Sequence, residues 1–168
     1  MVTLEPLRLD HVPLIEAVQE SVNEASPWLP WCTPSFDVEA AEAWIRNQIE
    51  ARRAGTAYEF AFVGEDGRYL DGGGINDVRR DHRFVNVGYW VRTGENGRGV
   101  ATGGGLRGLV AWARANTDLN RLKVVVAEGN RASLRVAEKA GARREGVAKA
   151  RLLQHGRHHD AVVFSFTR

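Results

Sequence analysis

A chain of 168 residues and 18.6 kDa buries roughly two thirds of its extended-chain surface, so it needs neither a disulfide nor a metal to staple it. Its 23 Lys and Arg against 21 Asp and Glu leave a formal charge of +2, which excludes a polyanion binder working by bulk electrostatics and gives no expectation of a nucleic-acid partner. The single Cys32 excludes an intrachain disulfide, no run of about 18 apolar residues marks a membrane span, and the start lacks the regions of a secretion signal, so a soluble cytoplasmic protein is expected.

The opening residues Val2 to Leu9 suit a strand. Asp10 then reads as a helix cap with Pro13 in the first turn, and Leu14, Ile15, Val18 and Val22 supply the apolar stripe. Pro27, Pro30 and Pro34, interleaved with Trp28, Leu29, Trp31 and Cys32, break the helical pattern in a loop too apolar to be a surface linker. A second helix is expected from Asp37 to about Ala54, carried by Ala40, Ala41, Trp44, Ile45, Gln48 and Ile49 and ended by Gly55.

The period then changes to that of strands. Ala57, Glu59, Ala61 and Val63 share one face, and Tyr58, Phe60 and Phe62 the other. After the turn Glu65 to Arg68, further strands are expected from Tyr69 to Val78 and from Arg83 to Arg92, and three strands with short connections imply antiparallel pairing. A glycine-rich turn from Gly94 to Gly99 leads into a helix reaching about Asn116, with Leu106, Leu109, Val110 and Ala113 on its inner face. Leu122 to Ala127 reads as a central strand. Asn130 caps a helix ending at Gly141, and Ala142 to Arg168 form two strands around a turn near His155 to Asp160. Without repeats, linkers or low-complexity segments, residues 1–168 are expected to form one α/β domain.

The segment Glu95-Asn96-Gly97-Arg98-Gly99-Val100-Ala101-Thr102 lies between a strand and a helix. Its small residues let main-chain N–H groups turn inward, and the helix N-terminus adds partial positive charge, which suits a diphosphate. No Lys-Ser/Thr pair follows the last glycine, so this is not a nucleoside-triphosphate loop, and the dinucleotide fingerprint is also absent. Read locally, the cluster is equally a plain strand-to-helix connection.

Here the sequence resembles the GNAT superfamily of N-acetyltransferases, whose signature Gln/Arg-x-x-Gly-x-Gly/Ala lies between the fourth strand and the third helix. Gly99 and Ala101 match its last two positions, while Asn96 stands where Gln or Arg is usual, a departure that alters one pyrophosphate contact. Trp28-Leu29-Pro30-Trp31, Val87-Gly88-Tyr89-Trp90, and Asn130 with Ser133 and Glu138-Lys139-Ala140-Gly141-Ala142 look like the ribosomal-protein N-terminal acetyltransferase branch, in the expected order and across nearly the whole chain. The resemblance implies a GNAT fold with a central mixed, mostly antiparallel sheet flanked by helices, and acetyl-coenzyme A as cosubstrate. It implies that the strands ending near Val91 and centred on Val125 splay to admit the pantetheine arm, which bonds main-chain groups of Tyr89, Trp90 and Val91. Gly97, Arg98, Gly99, Val100, Ala101 and Thr102, with Asn96, would surround the pyrophosphate. Asn130 would contact the coenzyme, and Ser133 would donate a proton to the departing thiolate. A homodimer is also compatible with the resemblance.

The expected reaction is direct attack of a neutral amine on the thioester, favouring a protein or peptide N-terminal α-amine as acceptor. The alternatives are a small-molecule amine such as an antibiotic or metabolite, and a noncatalytic acyl-coenzyme-A-binding protein. Glu128, Asn76 and Asp77 are candidate polar groups for deprotonating or orienting the amine, with Glu128 named as the base and Asn76 as a substrate contact. Trp28 and Trp31 are candidates for the acceptor groove, and equally for packing between two helices. Gly103, Gly104, Gly105 and Gly108 each cost up to about 1 kcal/mol in a helix, a cost that close approach of the coenzyme or of another helix would offset. His155, His158 and His159 lack a supporting ligand pattern, so no metal site is expected. Cys32 reads as a small buried hydrophobe rather than a nucleophile.

Overall fold

The structure, a computed structural model, describes residues 2–11, 14–94, 97 and 99–168, with residues 71, 91 and 103 described by their backbone alone. The chain runs β1 (Val2–Pro6), a 3-10 turn (Leu9–His11), α1 (Leu14–Ala25), α2 (Val38–Ala54), β2 (Tyr58–Gly64), β3 (Tyr69–Arg79) and β4 (Phe84–Val91). A π-helical segment (Val100–Leu106) then leads into α3 (Arg107–Asn116), β5 (Arg121–Ala127), α4 (Arg131–Lys139), β6 (Arg143–Gln154) and β7 (Arg157–Thr167). The seven strands form one sheet in the order β1-β2-β3-β4-β5-β7-β6. Among the described residues only β4 and β5 pair in parallel, giving the mixed, mostly antiparallel sheet that the resemblance implies.

The alternation along β2 sorts its side chains between two cores. Phe60 and Phe62 pack with Leu106, Leu109, Leu122 and Phe164 under α3 and α4. Ala61 packs on the opposite face with Leu14, Val18 and Ile45 of α1 and α2. A sheet buried on both faces in this way needs helices on each side, which the chain supplies before β2 and after β4. The bounds of α2 follow from its sequence: the Asp37 carboxylate accepts from Ala40 N at 2.8 Å, and Gly55 ends the helix at φ 69°.

Several expectations are corrected. Asp10 does not cap α1; it sits in the 3-10 turn with its carboxylate on Arg8, and Pro13 lies outside the described residues. The helix after the glycine-rich turn begins as a π-helix. Three of its glycines lie against the sheet: a Cβ at Gly105 would come within 2.7 Å of the Phe62 ring, one at Gly108 within 2.8 Å of Leu4, and one at Gly104 would overlap Val2. The missing side chains let this segment lie directly on β1 and β2, so the propensity cost secures close packing. The last hairpin turns tightly at His155 and Gly156, with φ 49° and 73°, and carries His158, His159 and Asp160 on β7.

Candidate functional site

The parallel ladder between β4 and β5 is short. It joins Phe84 to Arg121, Val85 to Leu122 and Asn86 to Lys123, and beyond those pairs the strands part. The main-chain edge of β4 from Val87 to Val91 therefore faces a gap, as the resemblance implies, and β4 remains paired on its other side with β3. Main-chain donors and acceptors along a strand edge where two strands part are groups that an extended amide-bearing ligand can use.

Beside this gap the structure brings Tyr89 and Ser133 together. The Tyr89 hydroxyl donates to the Ser133 carbonyl at 3.0 Å and lies 2.9 Å from Ser133 Oγ. Asn130 Oδ1 accepts from Ser133 N at 3.1 Å as the N-cap of α4, so the capping that its sequence position predicts also fixes the Ser133 backbone. Tyr89 and Ser133 belong to elements 44 residues apart.

The loop leaving β4 is tied down from α1. Arg92 is buried and forms a two-pronged ion pair with Glu20, both contacts at 2.6 Å, and donates to the Tyr69 carbonyl at 3.2 Å. That pairing holds the Glu20 carboxyl below its usual range. Thr93 N donates to Ser21 Oγ at 2.9 Å. Gly94, Gly97 and Gly99 follow with φ of 90°, 80° and 80°, conformations that a side chain strains. No described residue lies within 4 Å of where their Cβ atoms would stand. Val100 and Ala101 are buried and Thr102 is half-buried. Asn96 and Arg98 lie outside the described residues, and Val91 is described by its backbone alone.

On the α1 and α2 face of the sheet is a cavity of about 600 Å³ whose lining includes Trp31, Phe36, Trp44, Glu59, Asn76, Gly88, Tyr89 and Trp90. Trp31 is 45% exposed and stands edge-on to Trp90 at 6.0 Å between ring centroids, with Phe36 at the same separation on its other side. Asn86 Nδ2 donates to Asn76 Oδ1 at 3.0 Å, which leaves the Asn76 amide nitrogen to donate to Glu59. Burial lifts the Glu59 carboxyl from 4.5 to about 7, against the opposing effects of that hydrogen bond and of the Arg52 charge. A carboxyl so placed exchanges a proton near neutral pH.

Glu59 is the site residue that sequence reasoning missed. Its one signal was an acidic side chain on a strand face otherwise made of Ala57, Ala61 and Val63. The candidates Trp31, Asn76, Tyr89 and Trp90 do line the cavity, and Trp28 and Glu128 do not. Trp28 packs against Gly129, where a Cβ would stand 3.2 Å from its ring, and its carbonyl accepts from Gln154 at 2.7 Å. Glu128 is exposed on the turn after β5, where its N–H donates to the Asp160 carbonyl. Cys32 is buried away from the cavity, with Sγ on the Val18 carbonyl and its thiol pushed up by burial. A shallower depression of about 540 Å³ is lined by Arg80, Arg114 and Arg168, whose guanidinium groups donate to main-chain carbonyls.

Residues 1–143 match the family model described as "Acetyltransferase (GNAT) domain". Over 98% of its length the chain is 31% identical to the Bacillus subtilis protein described as "Putative ribosomal N-acetyltransferase YdaF", covering 88% of that protein. It is 33% identical over 132 residues, 77% of this chain and 72% of the relative, to "Probable N-acetyltransferase YjcK" of the same organism. Among solved structures, a ribosomal L7/L12 alpha-N-protein acetyltransferase in complex with coenzyme A superposes with a TM-score of 0.89 at 20% identity, over 99% of this chain and 93% of that one.

Proposed function

The chain belongs to the GNAT acetyltransferase family, and from that membership we propose that it transfers an acetyl group from acetyl-coenzyme A to a primary amine, in the first instance a protein or peptide N-terminal α-amine. The observation that carries the reading is the gap between β4 and β5, with Tyr89 and Ser133 beside it and the aromatic cavity reaching the same Tyr89 from the other face. Two substrates entering from opposite faces of a sheet meet where that sheet is open. Proximity of this kind replaces a bimolecular encounter by a positioned one.

Acetyl-coenzyme A supplies the activated acyl group. The main-chain edge of Tyr89, Trp90 and Val91 bonds the extended arm, while Gly97, Gly99, Val100 and Ala101 turn N–H groups toward the diphosphate, with Thr102 flanking it and Asn130 at the far wall. Ser133 Oγ donates a proton to the departing sulfur. An α-amine suits this site: with a reference pKa near 8 it costs roughly 1 kcal/mol to deprotonate at neutral pH, against about 4 for a Lys side chain. The resemblance to relatives described as ribosomal N-acetyltransferases supports the same acceptor. The bounded aromatic cavity supports a second reading, in which the acceptor is a small apolar or aromatic amine.

The test is acetyl-coenzyme-A-dependent thiol release against a panel of short peptides and small amines, with products identified by mass. Acetylated peptide as the dominant product supports the first reading, and acetylated small amine the second. Coenzyme binding without release from any acceptor would favour a binding protein over an enzyme.

A further inference from the structure

Glu59, Gly74 and Gly88 are in register across β2, β3 and β4: Glu59 pairs with Gly74, and Gly74 with Gly88. A Cβ at Gly74 would overlap the Glu59 carboxyl group, so the carboxylate lies over β3 at that point. A Cβ at Gly88 would meet nothing nearer than Asn76 Nδ2 at 4.0 Å. The two glycines thus leave a lane of bare backbone between the carboxylate and the strand that borders the gap. Among the described residues lining the cavity, Glu59 is the one carboxylate, and the walls around it are the rings of Trp31, Phe36, Trp44 and Trp90.

We infer that Glu59 is the catalytic residue that receives the acceptor's ammonium group and removes its proton, along the lane left by Gly74 and Gly88. The inference rests on the acetyl-transfer reading and names the acceptor end of that site. An ammonium entering the cavity meets aromatic faces, which attract cations, and a single anion held in place by Asn76, itself held by Asn86. The other charged or titratable groups near Glu59 are Arg52 from α2, which donates to its main-chain carbonyl at 3.0 Å, and Tyr69 from β3, which lines the same cavity; the Tyr89 phenol lies on the opposite face of the sheet, on Ser133.

The proton ledger closes. One proton passes from the ammonium nitrogen to Glu59 and on to solvent; the freed lone pair forms the N–C bond as the C–S bond breaks. The second proton leaves nitrogen as the amide forms, replacing the one that Ser133 gives to the thiolate. The acceptor class that fits is a primary amine carrying one positive charge beside an uncharged group, since a second cation would find no second carboxylate in the cavity.

The experiment compares wild type, Glu59→Gln and Asn76→Ala in acetylation of short peptides beginning with Ser or Ala, across a pH series, with acetyl-coenzyme-A affinity measured by calorimetry as the control for folding. Wild-type kcat/KM should fall on the acid side with an apparent pKa of about 7. Glu59→Gln should lose roughly a hundredfold or more in kcat, together with that acid limb, while retaining its affinity for acetyl-coenzyme A. Asn76→Ala should move the limb to higher pH, because the lost hydrogen bond favours the charged carboxylate; a merely structural role would not move it. A Glu59→Gln enzyme with wild-type turnover and an intact limb overturns the inference. If wild type acetylates no peptide, the acceptor reading fails by itself, and Glu59 is decided by carboxyl carbon-13 NMR. Titration near 7 that shifts on adding a small aromatic primary amine sustains its role, and titration in the ordinary carboxylate range, or no shift with the amine, overturns it.

Discussion

The Tyr89 hydroxyl lies 2.9 Å from Ser133 Oγ and donates to the Ser133 carbonyl at 3.0 Å, joining β4 to the first turn of α4 beside the gap where β4 and β5 part. The phenol restrains the Ser133 hydroxyl and the Asn130 cap fixes its backbone, which is the ordering that the proposed proton transfer to the thiolate would use.

Ser133→Ala should therefore lower kcat by roughly ten- to a hundredfold and leave acetyl-coenzyme-A affinity within a factor of about two, because the Asn130 cap bonds the backbone N–H that alanine keeps. Single-turnover kinetics that isolate the chemical step make the measurement. Unchanged single-turnover rates would remove Ser133 from proton transfer.

The coenzyme turn is tested by Gly99→Glu. At φ 80° the substitution strains the backbone, and it places a carboxylate where the diphosphate is proposed to sit, a like-charge contact worth several kcal/mol and so a loss of affinity of roughly a hundredfold or more. Calorimetric titration of a variant with a native circular dichroism spectrum measures it. Wild-type affinity would move the diphosphate elsewhere.

Glu59 also predicts a stability profile. Its folded carboxyl is raised from 4.5 to about 7, so its contribution to stability is fully present below 4.5 and lost as pH rises through 7. Above that range the fold carries a half-buried, partly desolvated charge, a cost on the order of 1 to 3 kcal/mol. Glu59→Gln should raise the urea midpoint at pH 8, with the difference from wild type shrinking toward pH 4. A variant no more stable than wild type at pH 8 would contradict the desolvated-charge account, and a gain there would mark a group kept for chemistry at the expense of stability.

Gly105→Ala sets two effects against each other. Alanine improves helix propensity by up to about 1 kcal/mol, but its Cβ would stand 2.7 Å from the ring of the fully buried Phe62, and overpacking of this kind costs about 1 to 3 kcal/mol. Net destabilisation in thermal unfolding is expected. Stabilisation would show that the π-helical segment can lift off the sheet.

How far the site was legible depended on how local its signals are. Asn130 and Ser133 stand three residues apart at a helix start, and Gly97, Gly99 and Ala101 sit in one turn, so spacing and resemblance together pointed to them. Trp31 was legible as an aromatic residue in a proline-braced loop, yet Trp28 in the same loop turned to Gly129, since the loop's path depends on what it packs against. Glu128 and Glu59 were both acids near strands, and composition could not say which one faces the cavity. The Arg92 to Glu20 ion pair, 72 residues apart, left no trace in local pattern.

The sequence by itself determined the order of strands and helices, the two-faced alternation of β2, the cap of α4 and the glycine turn after β4, because each follows from backbone preference and apolar period within a few residues. Only the tertiary structure decided that β4 and β5 part after Asn86, that Glu59 lies in line with Gly74 and Gly88, and that the glycines of the π-helical segment rest on the sheet. Those depend on register and on contacts between distant segments, which burial and packing of the whole chain select and local propensity does not encode.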